Sequence, residues 1–305
     1  MLLHELLKKN NVDQYLTKLF AESLTGAVVR IRQAIENTEV AQKLGSENAS
    51  GEQQLKLDVQ ANDILVEVLK NSGLIKSVAS EEIDGLEILN KQGIYTAVFD
   101  PLDGSSLADV NFTVGTIVGI YPGTNDLLGM KPGDMVAAAI VLYGPRTTMI
   151  FSVGKGTHEC TLNHHGQFSM TRENLNVRPD DVKHFAPGNL RATTERKDYL
   201  KLVNYWIENG YTLRYSGGMV PDVNHIFLKG EGIFAYPGYS AAPEVKLRLL
   251  FECGPMAFLM EHAGGVATDG NMKLLEKKIT SYHQRTPILI GSKSEVERAG
   301  KYLAS

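Results

Sequence analysis

Residues 98–106 read Val98-Phe99-Asp100-Pro101-Leu102-Asp103-Gly104-Ser105-Ser106. An apolar run of strand character, residues 94–99, ends at Phe99, and two carboxylates three apart follow it around a proline. Carboxylates at a strand end can bind a hard divalent cation through oxygen. Gly104 and the two serines let backbone N–H groups approach a phosphate, more so if a helix begins there. Cation ligands beside a phosphate cradle are what metal-assisted hydrolysis of a phosphate ester requires. The same residues also suit a plain turn, because Asp-Pro and Asp-Gly are turn formers.

Working outward, residues 112–121, 135–143 and 147–153 are near-continuous apolar or alternating, as in a sheet covered by helices. The first forty residues are expected to be helical, with Leu16, Leu19, Phe20 and Leu24, then Val28, Ile31 and Ile35, at helical spacing. Gly45 to Gly51 reads as a loop, and residues 61–70 as an amphipathic helix. In the second half, 197–209 reads as a helix and 232–236 as a strand. Residues 244–263 read as a long helix broken at Gly254-Pro255, since proline lacks an N–H and restrains the residue before it. A last strand is expected at 287–291 and a last helix at 293–303. Strands in runs rather than in strict β-α-β alternation predict an α+β layered fold. The polar, weakly periodic stretch Asn163 to Pro179 suggests a boundary, giving domains 1–170 and 171–305.

Composition narrows the classes. The 305 residues are 43% hydrophobic and 22% charged, ordinary for a globular protein that folds without metal or disulfide support. Lys plus Arg is 31 and Asp plus Glu is 35, so the net charge is 31 − 35 = −4, and no basic footprint for nucleic acid is present. The apolar run from Met135 to Tyr143 has 9 residues, about half a membrane span. The N-terminal MLLHELLKKNN lacks a secretory signal, and Cys160 and Cys253 cannot form a disulfide framework. Together these predict a cytoplasmic protein with no nucleic-acid or membrane partner.

Further acids strengthen the metal reading. Glu81-Glu82 follows an apolar stretch, although adjacent acids usually mark a solvated face. Asp58 interrupts Leu57-Asp58-Val59, and Glu52 lies six residues earlier. Glu252 stands within Leu249-Leu250-Phe251-Glu252-Cys253, where a charge is costly unless paired or metal-bound. Together they supply oxygen ligands for two or three Mg²⁺ ions, with Mn²⁺ as an alternative. Cys160, His164 and His165 are poorly spaced for zinc, and His164-His165 reads as a hairpin tip.

The chain resembles the Mg²⁺-dependent, lithium-sensitive phosphatase superfamily through Asp100-Pro-Leu-Asp-Gly-Ser-Ser106, the upstream Glu81-Glu82 and the downstream Glu252. Lys246-Leu-Arg-Leu-Leu-Phe-Glu252-Cys-Gly-Pro and Ala263-Gly-Gly265 resemble class I fructose-1,6-bisphosphatases. Residues 105–116, Tyr143-Gly-Pro-Arg-Thr-Thr148, Ala186-Pro-Gly-Asn-Leu-Arg-Ala192 and residues 213–224 are more similar to sedoheptulose-1,7-bisphosphatases. The resemblance implies a layered αβαβα sugar-phosphatase fold with two mixed sheets. It implies a metal site of Glu81, Asp100, Asp103 and Glu252, with the Leu102 carbonyl, and Glu52 helping to hold a further ion. Asp58 and Glu82 match the acids that activate the attacking water. Gly104, Ser105 and Ser106 would hold the 1-phosphate, with Asp103 also at the substrate. Tyr215, Tyr236 and Lys246 would hold the distal phosphate, and Arg214 would reach in from a neighbouring subunit of a homodimer or homotetramer. The sugar would lie along Gly217, Gly218 and Met219.

Two departures bear on substrate. Leu107 replaces the Asn usual in fructose-bisphosphatases, and Pro187-Gly-Asn-Leu190 replaces their Asn-Glu-Gly-Tyr, leaving Asn189 to substitute. Tyr236-Pro237 follows the fructose pattern instead. The implied activity is thus a Mg²⁺-dependent sugar bisphosphatase acting on fructose 1,6-bisphosphate, sedoheptulose 1,7-bisphosphate or both. The alternatives are an inositol-phosphate or nucleotide phosphatase of the same superfamily, or a non-catalytic sugar-phosphate sensor. Thr25-Gly26, Ile94 and Pro122 depart from the pattern of the AMP-inhibited members, which implies no AMP inhibition.

Overall fold

The computed structural model describes residues 1–37, 43–47, 53–240 and 245–304. Strands β1 (Lys43–Glu47) and β2 (Gln53–Leu55) form a small antiparallel pair. Next come β3 (Ile75–Ser80), β4 (Glu87–Ile88), β5 (Tyr95–Asp103), β6 (Val114–Pro122), β7 (Ala137–Tyr143), β8 (Thr147–Ser152), β9 (His158–Leu162) and β10 (Phe168–Arg172). They make one eight-stranded sheet in the order β10-β9-β8-β7-β6-β5-β3-β4, antiparallel except between β3 and β5. The last five strands are β11 (His184–Pro187), β12 (Thr212–Leu213), β13 (Ile233–Tyr236), β14 (Val266–Thr268) and β15 (Ile288–Gly291). They form a second mixed sheet in the order β12-β11-β13-β15-β14.

Helices cover these sheets in three layers. The first holds α1 (Leu3–Lys9), α2 (Gln14–Lys18), α3 (Thr25–Asn37) and α4 (Lys56–Asn71), with a π-turn at Leu19–Leu24. A short helix, α5 (Ser105–Ala108), follows β5. The outer layer on the second sheet holds α6 (Lys197–Glu208), and the middle layer holds α7 (Met219–Lys229) and α8 (Gly254–His262). Helix α9 (Lys293–Leu303) joins α6 in that outer layer.

Period-2 alternation in the strands builds this stack, because successive side chains point to opposite faces. On β7, Ala137, Ala139, Val141 and Tyr143 join the core under the first helical layer. Ala138, Ile140 and Leu142 join the core shared with α7 and α8. On β13, Phe234 faces that same middle core, while Ile233 and Ala235 face α6 and α9. Each sheet is therefore buried on both faces, and the order is αβαβα. Among the described residues no helix is long and apolar enough to cross a membrane.

Some expected boundaries shift. The strand expected to end at Phe99 continues to Asp103 across the proline, because β6 supplies partners up to Asp103↔Gly115 through a bulge. Of the expected loop from Gly45 to Gly51, residues 45–47 belong to β1, and the rest lie outside the described residues. The expected helix at 61–70 starts at Lys56. The expected helix from 244 begins only at Leu249, as a π-turn to Cys253, and becomes α-helical at Gly254-Pro255. Arg248, just before it, is extended because it bridges Arg285. Leu249 N–H donates to the Gln284 carbonyl at 2.7 Å, and Thr286 N–H to that of Leu247 at 3.0 Å. Helix α7, unread as a helix in the sequence, fills much of the space between the sheets.

Candidate active site

Strand β5 carries Asp100 and Asp103 to its end, and the π-turn carries Glu252 against it. All three are buried, and each offers a carboxylate oxygen within 4.8 Å of the others. Asp103 accepts the Val220 N–H at 2.6 Å and the Met219 N–H at 3.3 Å, both from the first turn of α7. A helix N-terminus favours negative charge at that point. Asp100 accepts the Leu102 N–H at 2.9 Å, and Glu252 accepts the Arg248 N–H at 2.6 Å. The Arg248 guanidinium hydrogen-bonds the Glu81 carboxylate and stands 4.0 Å from Glu252.

The electrostatics follow from that crowding. Burial, then the neighbouring Glu81, Asp103 and Glu252, hold the Asp100 carboxyl well above the usual carboxylate range. Burial and Glu81 do the same to Glu252, against the pull of Arg248. Burial pushes Asp103 up to about 6, in spite of the helix N–H groups it accepts. Clustered hard oxygen donors that favour protonation without a counter-charge fit a hard divalent cation.

A cleft of about 230 Å³ opens over this cluster. Asp58, Glu81 and Glu82 line it, beside the acidic trio. Gly104, Ser105 and Ser106 line it where α5 begins, and Gly104 takes φ 74°, a left-handed conformation that glycine adopts without strain. Tyr215, Tyr236 and Lys246 also line it, together with Gly217, Gly218 and Met219. Carboxylates, backbone amides at a helix start, tyrosyl hydroxyls and a lysine thus share one small cavity.

Family comparison agrees with this arrangement. Residues 1–173 match the model of the fructose-1-6-bisphosphatase N-terminal domain, and residues 178–304 match that of its C-terminal domain. The chain belongs to the fructose-1,6-bisphosphatase family. It is 48% identical over 265 residues to the class 1 fructose-1,6-bisphosphatase of Trichlorobacter lovleyi, covering 85% of this chain and 82% of that one. It is 46% identical over 255 residues to the chloroplastic sedoheptulose-1,7-bisphosphatase of Triticum aestivum, covering 82% of this chain and 64% of that one. The holo crystal structure of Leishmania major fructose-1,6-bisphosphatase superposes with a TM-score of 0.93 at 30% identity, covering 100% of this chain and 99% of that one.

Within this member of the fructose-1,6-bisphosphatase family, most residues singled out in the sequence meet at the cleft. Leu102 lines it too. Two described residues, Arg214 and Asn189, do not line it. Glu52 lies outside the described residues. Arg214 is exposed, with its guanidinium on the Leu213 carbonyl at 2.9 Å. Asn189 directs its side-chain amide to the Pro237 carbonyl at 2.7 Å. Cys160 is buried in β9, and His164-His165 stand at the β9–β10 hairpin turn.

Sequence reading missed Arg248, which is 2% exposed between two acids of the cleft. The available signal was an arginine four residues before Glu252 in an otherwise apolar run. It also missed Arg191, whose charge lies close enough to pull Tyr215 and Tyr236 downward against burial.

Proposed function

We propose that this chain hydrolyses the 1-phosphate of fructose 1,6-bisphosphate, sedoheptulose 1,7-bisphosphate or both. The observation that carries the reading is the meeting, in one cleft, of the Asp100–Asp103–Glu252 cluster with Gly104–Ser106 and with Tyr215, Tyr236 and Lys246. A bisphosphate carries about four negative charges near neutral pH, so each end needs its own source of positive charge or hydrogen-bond donors.

Glu81, Asp100, Asp103, Glu252 and the Leu102 carbonyl would hold two to three Mg²⁺ ions, with Mn²⁺ as an alternative and Glu52 assisting. Bound there, the ions supply Lewis acidity to the ester and lower the pKa of water. Asp58 and Glu82 accept the proton of the attacking water. Backbone N–H and hydroxyl groups of Gly104, Ser105 and Ser106 orient the phosphate for in-line attack. Lys246, Tyr215 and Tyr236 hold the distal phosphate by charge-assisted hydrogen bonds, with Asn189 at the edge of that subsite. Gly217, Gly218 and Met219 leave room for the sugar. Arg214, exposed here, reaches the distal phosphate of a second copy in a homodimer or homotetramer. Residues 1–170 contribute the ion and 1-phosphate side, residues 171–305 the sugar and distal side, and the enzyme works in the cytoplasm.

Phosphate release with Mg²⁺ from both bisphosphates, compared by kcat/KM, tests this. Turnover of either at a rate far above that of inositol phosphates and nucleotides is expected. Release from neither would overturn it.

A further inference from the structure

The Glu81-Glu82 turn is tied down through its backbone N–H groups and at its exit. Glu81 N–H donates to the Phe99 carbonyl at 3.1 Å, which extends the β3–β5 ladder. Ile83 N–H closes the turn on the Ser80 carbonyl at 3.2 Å, and Glu82 N–H donates to Ser80 Oγ at 3.2 Å. The turn's exit is held from a remote segment: His283 Nε2–H donates to the Ile83 carbonyl at 3.2 Å, across 200 residues of chain.

His283 is itself fixed. Its ring packs edge-on to Phe251 at 5.4 Å, and Phe251 is fully buried beside Glu252. The flanking residues clip the other side of the cleft. Gln284 and Thr286 hydrogen-bond the backbone on both sides of Arg248, while Tyr282 donates to Asp126 at 2.9 Å. The segment 282–286 therefore joins the Glu81-Glu82 turn to the Lys246–Leu249 segment.

We propose that His283 is a positioning residue for catalysis: its hydrogen bond to the Ile83 carbonyl holds Glu82 in register with the Asp100–Asp103–Glu252 cluster. This rests on the water-activating role proposed for Glu82. A small displacement of a reacting group can lower turnover about 100-fold without weakening substrate binding. His283 is not among the residues that line the cleft, so its loss is expected to act on kcat rather than KM.

Three variants separate the hydrogen bond from ring packing. His283→Ala removes both, His283→Phe keeps an aromatic ring on Phe251, and His283→Gln keeps an N–H donor. Ala and Phe are expected to lower kcat by about 10- to 100-fold with KM within about two-fold, and Gln to recover most of the loss. Amide hydrogen exchange in residues 81–84 is expected to quicken in Ala and Phe but not in Gln. Wild-type kcat in the Phe variant, or unchanged exchange in the Ala variant, would overturn the proposal. If the wild-type chain releases no phosphate at all, the functional reading fails, and the exchange pattern alone still decides whether His283 holds the turn.

Discussion

Asp103 joins fold and chemistry in a single side chain, because the helix start that holds it also raises the cost of changing it. Its two oxygens accept the Met219 and Val220 N–H groups. In Asp103→Asn the amide nitrogen would face one of those donors, and one oxygen ligand would be lost. We expect kcat to fall by about 100-fold or more, the scale of losing one preorganised electrostatic contact. A variant retaining half of wild-type turnover would remove Asp103 from the site. Glu82→Gln tests a different role. It should lower kcat by about 100- to 10,000-fold, the contribution of a general base, while the Mg²⁺ concentration for half-activation stays put. A shift in metal requirement instead would make Glu82 a ligand. The acids were legible in the sequence because a charge inside an apolar run needs a reason. Arg248 carried the same local signal, four residues before Glu252, but its hydrogen-bond partner Glu81 lies 167 positions away, and no local pattern reports that pair.

Between elements, tolerance is close where β6 meets α7. Gly115 pairs with Asp103 across the sheet, and a Cβ built on it would lie 2.4 Å from Val220 Cγ1 and 2.8 Å from the Val141 carbonyl. Gly115→Ala must push the start of α7 away, costing about 1–3 kcal/mol for overpacking. It should also lower kcat, since the N–H groups on Asp103 move with α7. Thermal melts and phosphate release on the same preparation check both; a fully stable, fully active Ala variant would refute the coupling. The segment before the π-turn carries a second prediction. Lys246→Ala should raise KM for a bisphosphate by about 10- to 100-fold through loss of one charged hydrogen bond, leaving kcat near wild type. A fall in kcat with constant KM would place Lys246 at the reacting end. This segment shows where sequence reading stops. The apolar spacing of 244–263 suits one helix, but pairing of Arg248 with Arg285 keeps the chain out of the helix until Leu249. That leaves Lys246 and Glu252 off any common helix face, and both reach one cleft. The strand through Pro101 was hidden likewise, because turn-forming residues are kept in the ladder by a partner strand.

At the scale of the whole molecule, the layers were legible because each central strand alternates between two cores, whereas sheet order was not, since strand pairing is set by distant partners. The same layering buries the acidic cluster, and that makes stability depend on pH and metal together. Asp103 shifts from 3.8 to about 6 on folding, so the folded chain binds the proton more tightly than the unfolded one. Its stabilising contribution is complete below pH 3.8 and is lost as pH rises through about 6, a difference of about 3 kcal/mol. Asp100 and Glu252 shift in the same direction. Without metal, wild type should therefore lose stability relative to Asp103→Asn as pH rises from 4 to 7, because the variant lacks this titration. A divalent cation replaces the protons and binds only the ionised acids, so the increase in Tm on adding Mg²⁺ should be larger at pH 7.5 than at pH 5. Calorimetric melts in chelator and in excess Mg²⁺ at both pH values measure the difference. An equal increase at both would mean that the ion binds elsewhere, and the Asp100–Asp103–Glu252 cluster would then be a buried acid network held by protons and Arg248.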